Sequence, residues 1–316
     1  MKNSQKRVEI SKEAGISNSY KILINSKRLN IFSFCFSLML LVSCGKNFPT
    51  IENQNNSDPS AHLSIDPTVP LSSIIGGQEI TSKLDPIAKT TVLIYNTLTR
   101  QICTGSLLEN NLILTAAHCV HRQIQSMLIY FIQNSRTATK EMSRLVTGAV
   151  THPLWVTNKN NLKDAGDMAL LKYSGDAPQG YTATTFLPNP SYLLNNTPVV
   201  LAGYGVSDSR TKQGSEILRQ TATVISNNRY AYTEIQVDQR LGRGSCHGDS
   251  GGPAFIVING THYLWGILSR GDQDREDKCN QFSIYTLILA HYKWIQDTAK
   301  ALTLNPNLNQ VSMAAK

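Results

Sequence analysis

The ten residues Gly244-Ser245-Cys246-His247-Gly248-Asp249-Ser250-Gly251-Gly252-Pro253 constrain this chain more than any other stretch. Glycines at 244, 248, 251 and 252 weaken any helix or strand interior, so the segment reads as a sharp turn. A serine hydroxyl is a weak nucleophile until a base takes its proton. Gly248 frees the chain to aim two backbone N–H groups, those of Gly248 and Ser250, at one point. Such a pair stabilises the oxyanion of a tetrahedral acyl intermediate. Gly251 and Gly252 leave room for the backbone of a substrate. The rival reading is a glycine-rich surface turn. Six consecutive specified residues, Gly248 to Pro253, are far more demanding than such a turn requires.

Two further stretches supply partners for the serine. Thr115-Ala116-Ala117-His118-Cys119 places a histidine after the strand-like run 111–114. Asp167-Met168-Ala169-Leu170-Leu171 opens another such run with a carboxylate. Asp164 competes locally, but an apolar run follows Asp167 directly. The chain order is His, Asp, Ser, the order that separates one class of serine hydrolases from two others. On these motifs the chain resembles the chymotrypsin/trypsin family of serine endopeptidases, from about Ile74 to Leu302.

The resemblance implies two antiparallel β-barrels with a C-terminal helix and the catalytic cleft between the barrels. It implies His118 as general base, Asp167 as its orienting carboxylate, Ser250 as nucleophile, and Gly248 with Ser250 as the oxyanion hole. Ser269 matches a serine that hydrogen-bonds the buried aspartate. Ile74-Ile75-Gly76-Gly77 resembles the mature N-terminus of the family. A cut before Ile74 would free an amine to pair with Asp249, because a buried carboxylate needs such a partner. The substrate pocket would comprise Gly244, Ser245, His247, Ser269, Arg270, Gly271 and Ser283. Gly244 takes the floor position that is acidic in trypsins, so a small or apolar P1 side chain is expected. An acid at 244 would then favour basic P1 residues. Arg270 replaces a usual aromatic on the substrate shelf, and residues 272–277 lengthen a pocket-rim loop with added acids. Thr151-His152-Pro153 and Gly203-Tyr204-Gly205 are weaker family matches; the second usually carries Trp at the Tyr204 position.

Six cysteines fall in two groups, Cys35 and Cys44 near the N-terminus and Cys103, Cys119, Cys246 and Cys279 beyond it. Four cysteines allow three connectivities, and their spacing does not choose among them. The resemblance implies Cys103–Cys119 and Cys246–Cys279, hence an oxidising compartment.

The formal net charge of +8 suggests nucleic acid until its distribution is read. Residues 1–43 hold seven Lys/Arg and two Asp/Glu, which leaves a small excess elsewhere. No basic stripe with interleaved aromatics appears, so no nucleic-acid partner is expected. The apolar run 31–43 is too short to span a bilayer and has the length of a signal-peptide core. Its end, Leu41-Val42-Ser43-Cys44-Gly45, resembles a bacterial lipobox, with lipidation at Cys44. Residues 1–43 thus read as a signal peptide. Residues 44–73 are rich in Asn, Ser and Pro and read as a flexible tether or propeptide.

From Ile74 onward short apolar runs alternate with turn clusters. They lie at 91–95, 102–108, 112–114, 127–132, 146–150 and 168–173, then at 198–202, 218–225, 254–258, 263–268 and 282–284. Leu187-Pro188-Asn189-Pro190 marks a joint between lobes 74–187 and 188–302. Apolar residues from Leu287 to Leu302 recur at helical spacing, and 303–316 reads as a loose tail. His121 adjoins His118 without the Cys or carboxylate spacing of a metal site. His62, His152, His262 and His291 read as surface or core histidines. No metal or organic cofactor is expected. The expected partners are protein or peptide substrates, an activating protease, and a membrane through the lipid anchor before activation. The competing reading is a catalytically idle, surface-anchored binding protein on the same fold; an esterase is a further one.

Overall fold

Short strands with apolar faces must close on one another or stack, and this chain closes them twice. The computed structural model describes residues 74–158, 163–272 and 278–311. The signal peptide, Cys44, the tether 44–73, the rim residues 273–277 and the last five residues lie outside the described residues.

The first barrel comprises β1 (Thr91–Asn96), β2 (Ile102–Leu108), β3 (Leu112–Thr115), β4 (Met127–Tyr130), β5 (Ser143–Thr151) and β6 (Ala169–Tyr173). The second comprises β7 (Pro198–Gly203), β8 (Arg219–Asn227), β9 (Glu234–Asp238), β10 (Pro253–Ile258), β11 (Thr261–Asp272) and β12 (Phe282–Leu287). Each barrel is antiparallel and closed, and the two share one strand order. Around the first it is β1-β2-β3-β6-β5-β4, closed by β4 on β1; around the second it is β7-β8-β9-β12-β11-β10, closed by β10 on β7. The expected pair of antiparallel barrels with a C-terminal helix is therefore present, and each barrel has six strands.

Strand periodicity explains the core. Val92 and Ile94 of β1, Ile113 of β3, and Ala169 and Leu171 of β6 point into the first barrel. Their alternates Leu93, Leu112, Leu114 and Leu170 belong to a different cluster, with Ala202, Tyr204, Phe255 and Ile267 from the second half. Successive strand side chains face opposite sides, so a strand apolar on both faces fits between a barrel interior and a neighbouring barrel. Val199, Leu201, Ala254, Ile256 and Trp265 fill the second barrel. Tyr204 is fully buried between the halves. Its hydroxyl donates to Ile132 O at 2.5 Å, and Thr91 O lies 3.3 Å away. The tyrosine at this position thus reaches carbonyls of the first barrel.

Two elements differ from the sequence expectation. The strand β9, Glu-Ile-Gln-Val-Asp, is absent from the expected runs because its alternate residues are polar; yet Glu234 and Gln236 are buried. Leu287 ends a strand instead of opening the helix. A 3₁₀ turn, Ile288–His291, follows it, and the helix runs from Tyr292 to Leu304. Beyond the helix, Asn309–Gln310 pair in parallel with Ala149 and Val150 of β5.

The helix is joined to the start of β6 by histidines. His152 N–H donates to Met168 O at 2.8 Å, beside Asp167, and Leu154 N–H donates to His152 Nδ1 at 3.2 Å. That leaves the His152 proton on Nε2, which lies 3.2 Å from Nδ1 of His291. Trp294 packs edge-on against His152, with ring centroids 4.8 Å apart. Burial, then the neighbouring His291, pull the His152 pKa down to about 4. Burial also lowers His291, against the opposing pull of Asp164 and Glu234. Rings that bind protons more readily in the unfolded chain cost no stability above about pH 6.5, and a growing amount as pH falls toward about 4. Thermal unfolding should therefore show the midpoint dropping across that window. The double variant His152→Asn/His291→Phe should drop less. Equal slopes for the two proteins would contradict the assignment.

Candidate functional site

Asp167 lies just before β6, and His118 sits in the 3₁₀ turn Ala117–Cys119 that follows β3. Pairing of β3 with β6, Thr115 opposite Ala169, brings the two loops together. The Asp167 carboxylate is buried and receives three donors. His118 N–H donates to Oδ1 at 3.0 Å; the His118 ring meets Oδ2 through Nδ1 at 2.7 Å; Ser269 Oγ donates to Oδ2 at 2.7 Å. Burial alone would push this carboxyl up, but the His118 charge and the hydrogen bonds from His118 and Ser269 hold it below the ordinary carboxylate value. Burial likewise depresses His118, and the Asp167 charge and hydrogen bond outweigh it, so the imidazole is raised. Asp164 takes no part in this cluster. Its carboxylate accepts from Thr233 N–H at 2.7 Å and from Thr233 Oγ1 at 2.8 Å.

The Ser250 turn is fastened to the first barrel. Thr104 N–H donates to Ser250 O at 2.8 Å, and Thr104 Oγ1 donates to Gly248 O at 3.0 Å. A Cβ on Gly251 would lie 2.1 Å from Thr115 Oγ1 and 2.7 Å from Ala116 N, the residues leading to His118. Glycine at 251 thus lets the serine turn close on the histidine turn. Gly248 has φ +95°, and a Cβ there would approach Gly205 Cα to 2.9 Å. Both facts require glycine. Among the described residues, the N–H groups of Gly248 and Ser250 have no hydrogen-bond acceptor. Disulfides join Cys103 to Cys119 and Cys246 to Cys279, the pairing the resemblance implies.

Asp249 points inward from the same turn. Its carboxylate accepts from Gly205 N–H at 2.7 Å and from Cys246 N–H at 2.8 Å. Burial pushes its pKa up to about 7, against those two hydrogen bonds and the more distant Arg219. Ile74 is buried, and Ile75 bridges Gly244 through Gly244 N–H to Ile75 O at 3.0 Å.

Around Gly244 the side chain of Gln239 comes close. A Cβ on Gly244 would fall 2.4 Å from both Cδ and Oε1 of Gln239. The direction a side chain at 244 would take is held by the Gln239 amide, which would have to move aside for one. Ser245 and Ser283 are buried nearby; His247 is exposed. Gly271 pairs with Ser283 across β11 and β12, and a Cβ there would meet only Phe282 O, at 4.0 Å. Asp272, the first acid of the rim, is taken up by Gln236 Nε2 at 2.6 Å.

Arg270 forms a bidentate pair with Glu234, Nη1 to Oε1 at 2.8 Å and Nη2 to Oε2 at 2.7 Å. Glu234 Oε1 also accepts from Ala165 N–H at 3.2 Å, two residues before Asp167. Glu234, Gln239 and Trp155 carry no mark of the site in the sequence; the Trp155 ring centroid lies 6.3 Å from that of His118. The aromatic-to-Arg change at 270 was the one available hint, since a charge on a cleft wall implies a buried counter-charge. Removing one member of such a pair strands the other. Glu234→Ala should destabilise by about 3 kcal/mol, and Glu234→Leu/Arg270→Met should recover most of that. Urea denaturation checks both.

A family model described as Trypsin matches residues 74–295. Chymotrypsin-like elastase family member 1 of Canis lupus familiaris is 27% identical over 209 residues, covering 62% of this chain and 80% of that protein. The Bos taurus protein of the same name is 29% identical over 212 residues, covering 62% and 77%. Urokinase-type plasminogen activator of Gallus gallus is 28% identical over 227 residues, covering 64% of this chain and 51% of that protein. With the two barrels, the paired disulfides and a family match over most of its length, the chain belongs to the trypsin family of chymotrypsin-like serine proteases.

Proposed function

We propose that this protein is a serine endopeptidase that cuts peptide bonds through an acyl-enzyme formed on Ser250. The observation that carries this reading is the Asp167 carboxylate, hydrogen-bonded to His118 Nδ1 and to Ser269 Oγ beside the Ser250 turn. With Nδ1–H held by Asp167, the lone pair of His118 is on Nε2. That nitrogen takes the Ser250 proton as Oγ attacks the carbonyl, then delivers it to the leaving amine. Asp167 stays ionised and stabilises the imidazolium. The N–H groups of Gly248 and Ser250 receive the oxyanion. Water then repeats the sequence and frees the acid product.

The chain is made as a zymogen in this reading. A cut between Ser73 and Ile74 frees an amine that pairs with Asp249, a buried carboxyl otherwise raised to about 7. Ile74 has φ 29°, outside the range a β-branched residue adopts. Cutting before it abolishes that torsion. Ser73 is not basic, so a protease of another preference makes the cut. The four cysteines of residues 103–279 pair among themselves. Nothing covalent then ties the cut domain to a lipid on Cys44, so activation and release from the membrane are one event. Location is extracytoplasmic, as disulfides require.

Ser250→Ala or His118→Ala should lower kcat by roughly four to six orders of magnitude without unfolding the protein. Activity of the wild type should rise with pH through a value above the ordinary imidazole pKa, since neutral His118 is the base. Asp167→Asn should remove that elevation. Covalent labelling of Ser250 by a fluorophosphonate tests the reading directly; an intact, cut protein that takes no label would favour the idle binding protein.

The activation scheme has its own test. Cell fractions are separated, N-termini sequenced and active sites titrated. Soluble protein should begin at Ile74 and titrate fully; membrane-bound protein should begin at Cys44 and not titrate. Fully active protein that still begins at Cys44 would refute the scheme.

A further inference from the structure

Gly244 brings no side chain to the P1 position, and the group that lies in its side-chain direction is the amide of a neighbour. That neighbour is Gln239, 1% exposed, at the end of β9. Its Oε1 accepts from Ser245 N–H at 2.7 Å and from Ser245 Oγ at 2.9 Å. Its Nε2 donates to Cys279 O at 3.2 Å. Gln239 therefore crosses between two walls that lead to the serine turn. One is Ser245–Cys246, four residues from Ser250; the other is Cys279, held to Cys246 by the disulfide. The third wall is Gly271, whose side-chain direction is open among the described residues. Ser283 lies beside both Gly271 and Val237, two residues before Gln239.

We propose that Gln239 forms the floor of the P1 pocket and sets its specificity as neutral and shallow. The proposal rests on the endopeptidase reading. An amide whose oxygen and nitrogen both have partners offers a P1 side chain no net charge. A lysine or arginine entering this pocket would lose its water and gain no counter-ion from Gln239, which a buried cation does not tolerate. An acidic P1 side chain would fare no better. Uncharged P1 residues of small to middle size lose little on entry. The floor charge is thus set from position 239, reached from β9, and not from position 244.

The test uses cut, active protein, with fluorophosphonate titration to count working sites and a library of peptides varied only at P1. Wild type should cut uncharged P1 peptides at least about tenfold faster, in kcat/KM, than Arg, Lys, Asp or Glu peptides. Gln239→Glu keeps the shape and adds a charge; it should raise the Arg-to-Ala ratio of kcat/KM by about tenfold or more. Gln239→Ala removes the floor and should shift preference toward larger uncharged residues. Gly244→Asp should give no such gain for Arg. If Gln239→Glu yields no titratable sites, Gln239→Ala and Gly244→Asp still decide, and if none folds the wild-type profile does. A titratable Gln239→Glu or Gln239→Ala with the wild-type profile overturns the proposal. So does a Gly244→Asp protein that turns to Arg, or a wild type that prefers Arg. A properly cut wild type that takes no label overturns the endopeptidase reading itself, which is a separate failure.

Discussion

One buried carboxylate holds the two halves of this molecule in register. Asp167 belongs to the first barrel, as does His118, but its third donor, Ser269, comes from β11 of the second. Thr286 Oγ1, on β12, adds a contact to Asp167 O at 3.4 Å. An ionised carboxylate out of water is tolerable only with its acceptor sites filled. Shifting one barrel against the other would strip Asp167 of a donor. The apolar surface between the barrels provides most of the attraction, but it is non-directional. The carboxylate supplies the direction, and it does so at the atoms that hold the histidine ring.

The second buried carboxylate, Asp249, obeys the same rule by a different route. It is packed against bare backbone: a Cβ on Gly203 would lie 2.2 Å from its Oδ1, and one on Gly205 would lie 2.5 Å from its Oδ2. Gly203-Tyr204-Gly205 is thus explained by its neighbour. Two glycines give the carboxylate room, and the tyrosine between them reaches across to the first barrel.

Much of this was legible in the sequence, because backbone-demanding chemistry leaves marks that survive without structure. Gly248-Asp249-Ser250-Gly251 could be read since few residue types meet its steric demands, and the strand runs followed from alternation. Glu234 and Gln239 could not be read. Both lie in or beside a strand whose polar alternates look solvent-facing, and their burial depends on partners 36 and 40 positions away, Arg270 and Cys279. His291 was read as a surface or core histidine, and only the fold supplies His152 at the other end of a hydrogen bond. Position 244 hid its surroundings for a related reason. A glycine announces that a side chain is missing, but not whether the space is empty.

The two ends of the described chain cross over. Gln78–Glu79, which precede the first barrel, pair with β8 of the second, and Arg219 on β8 reaches Glu79 Oε1 at 3.0 Å. Asn309–Gln310, which follow the second barrel, pair with β5 of the first. Each half is thus strapped by the terminal segment nearest the other in sequence. These contacts span well over a hundred residues, so they raise the contact order and come late in folding. During synthesis the first barrel waits for the last residues of the chain before its outer strap can form. A ribosome that stops short of the C-terminal helix would release a half whose edge at Ala149 and Val150 is still bare, and an uncovered strand edge is where a nascent chain meets its neighbours.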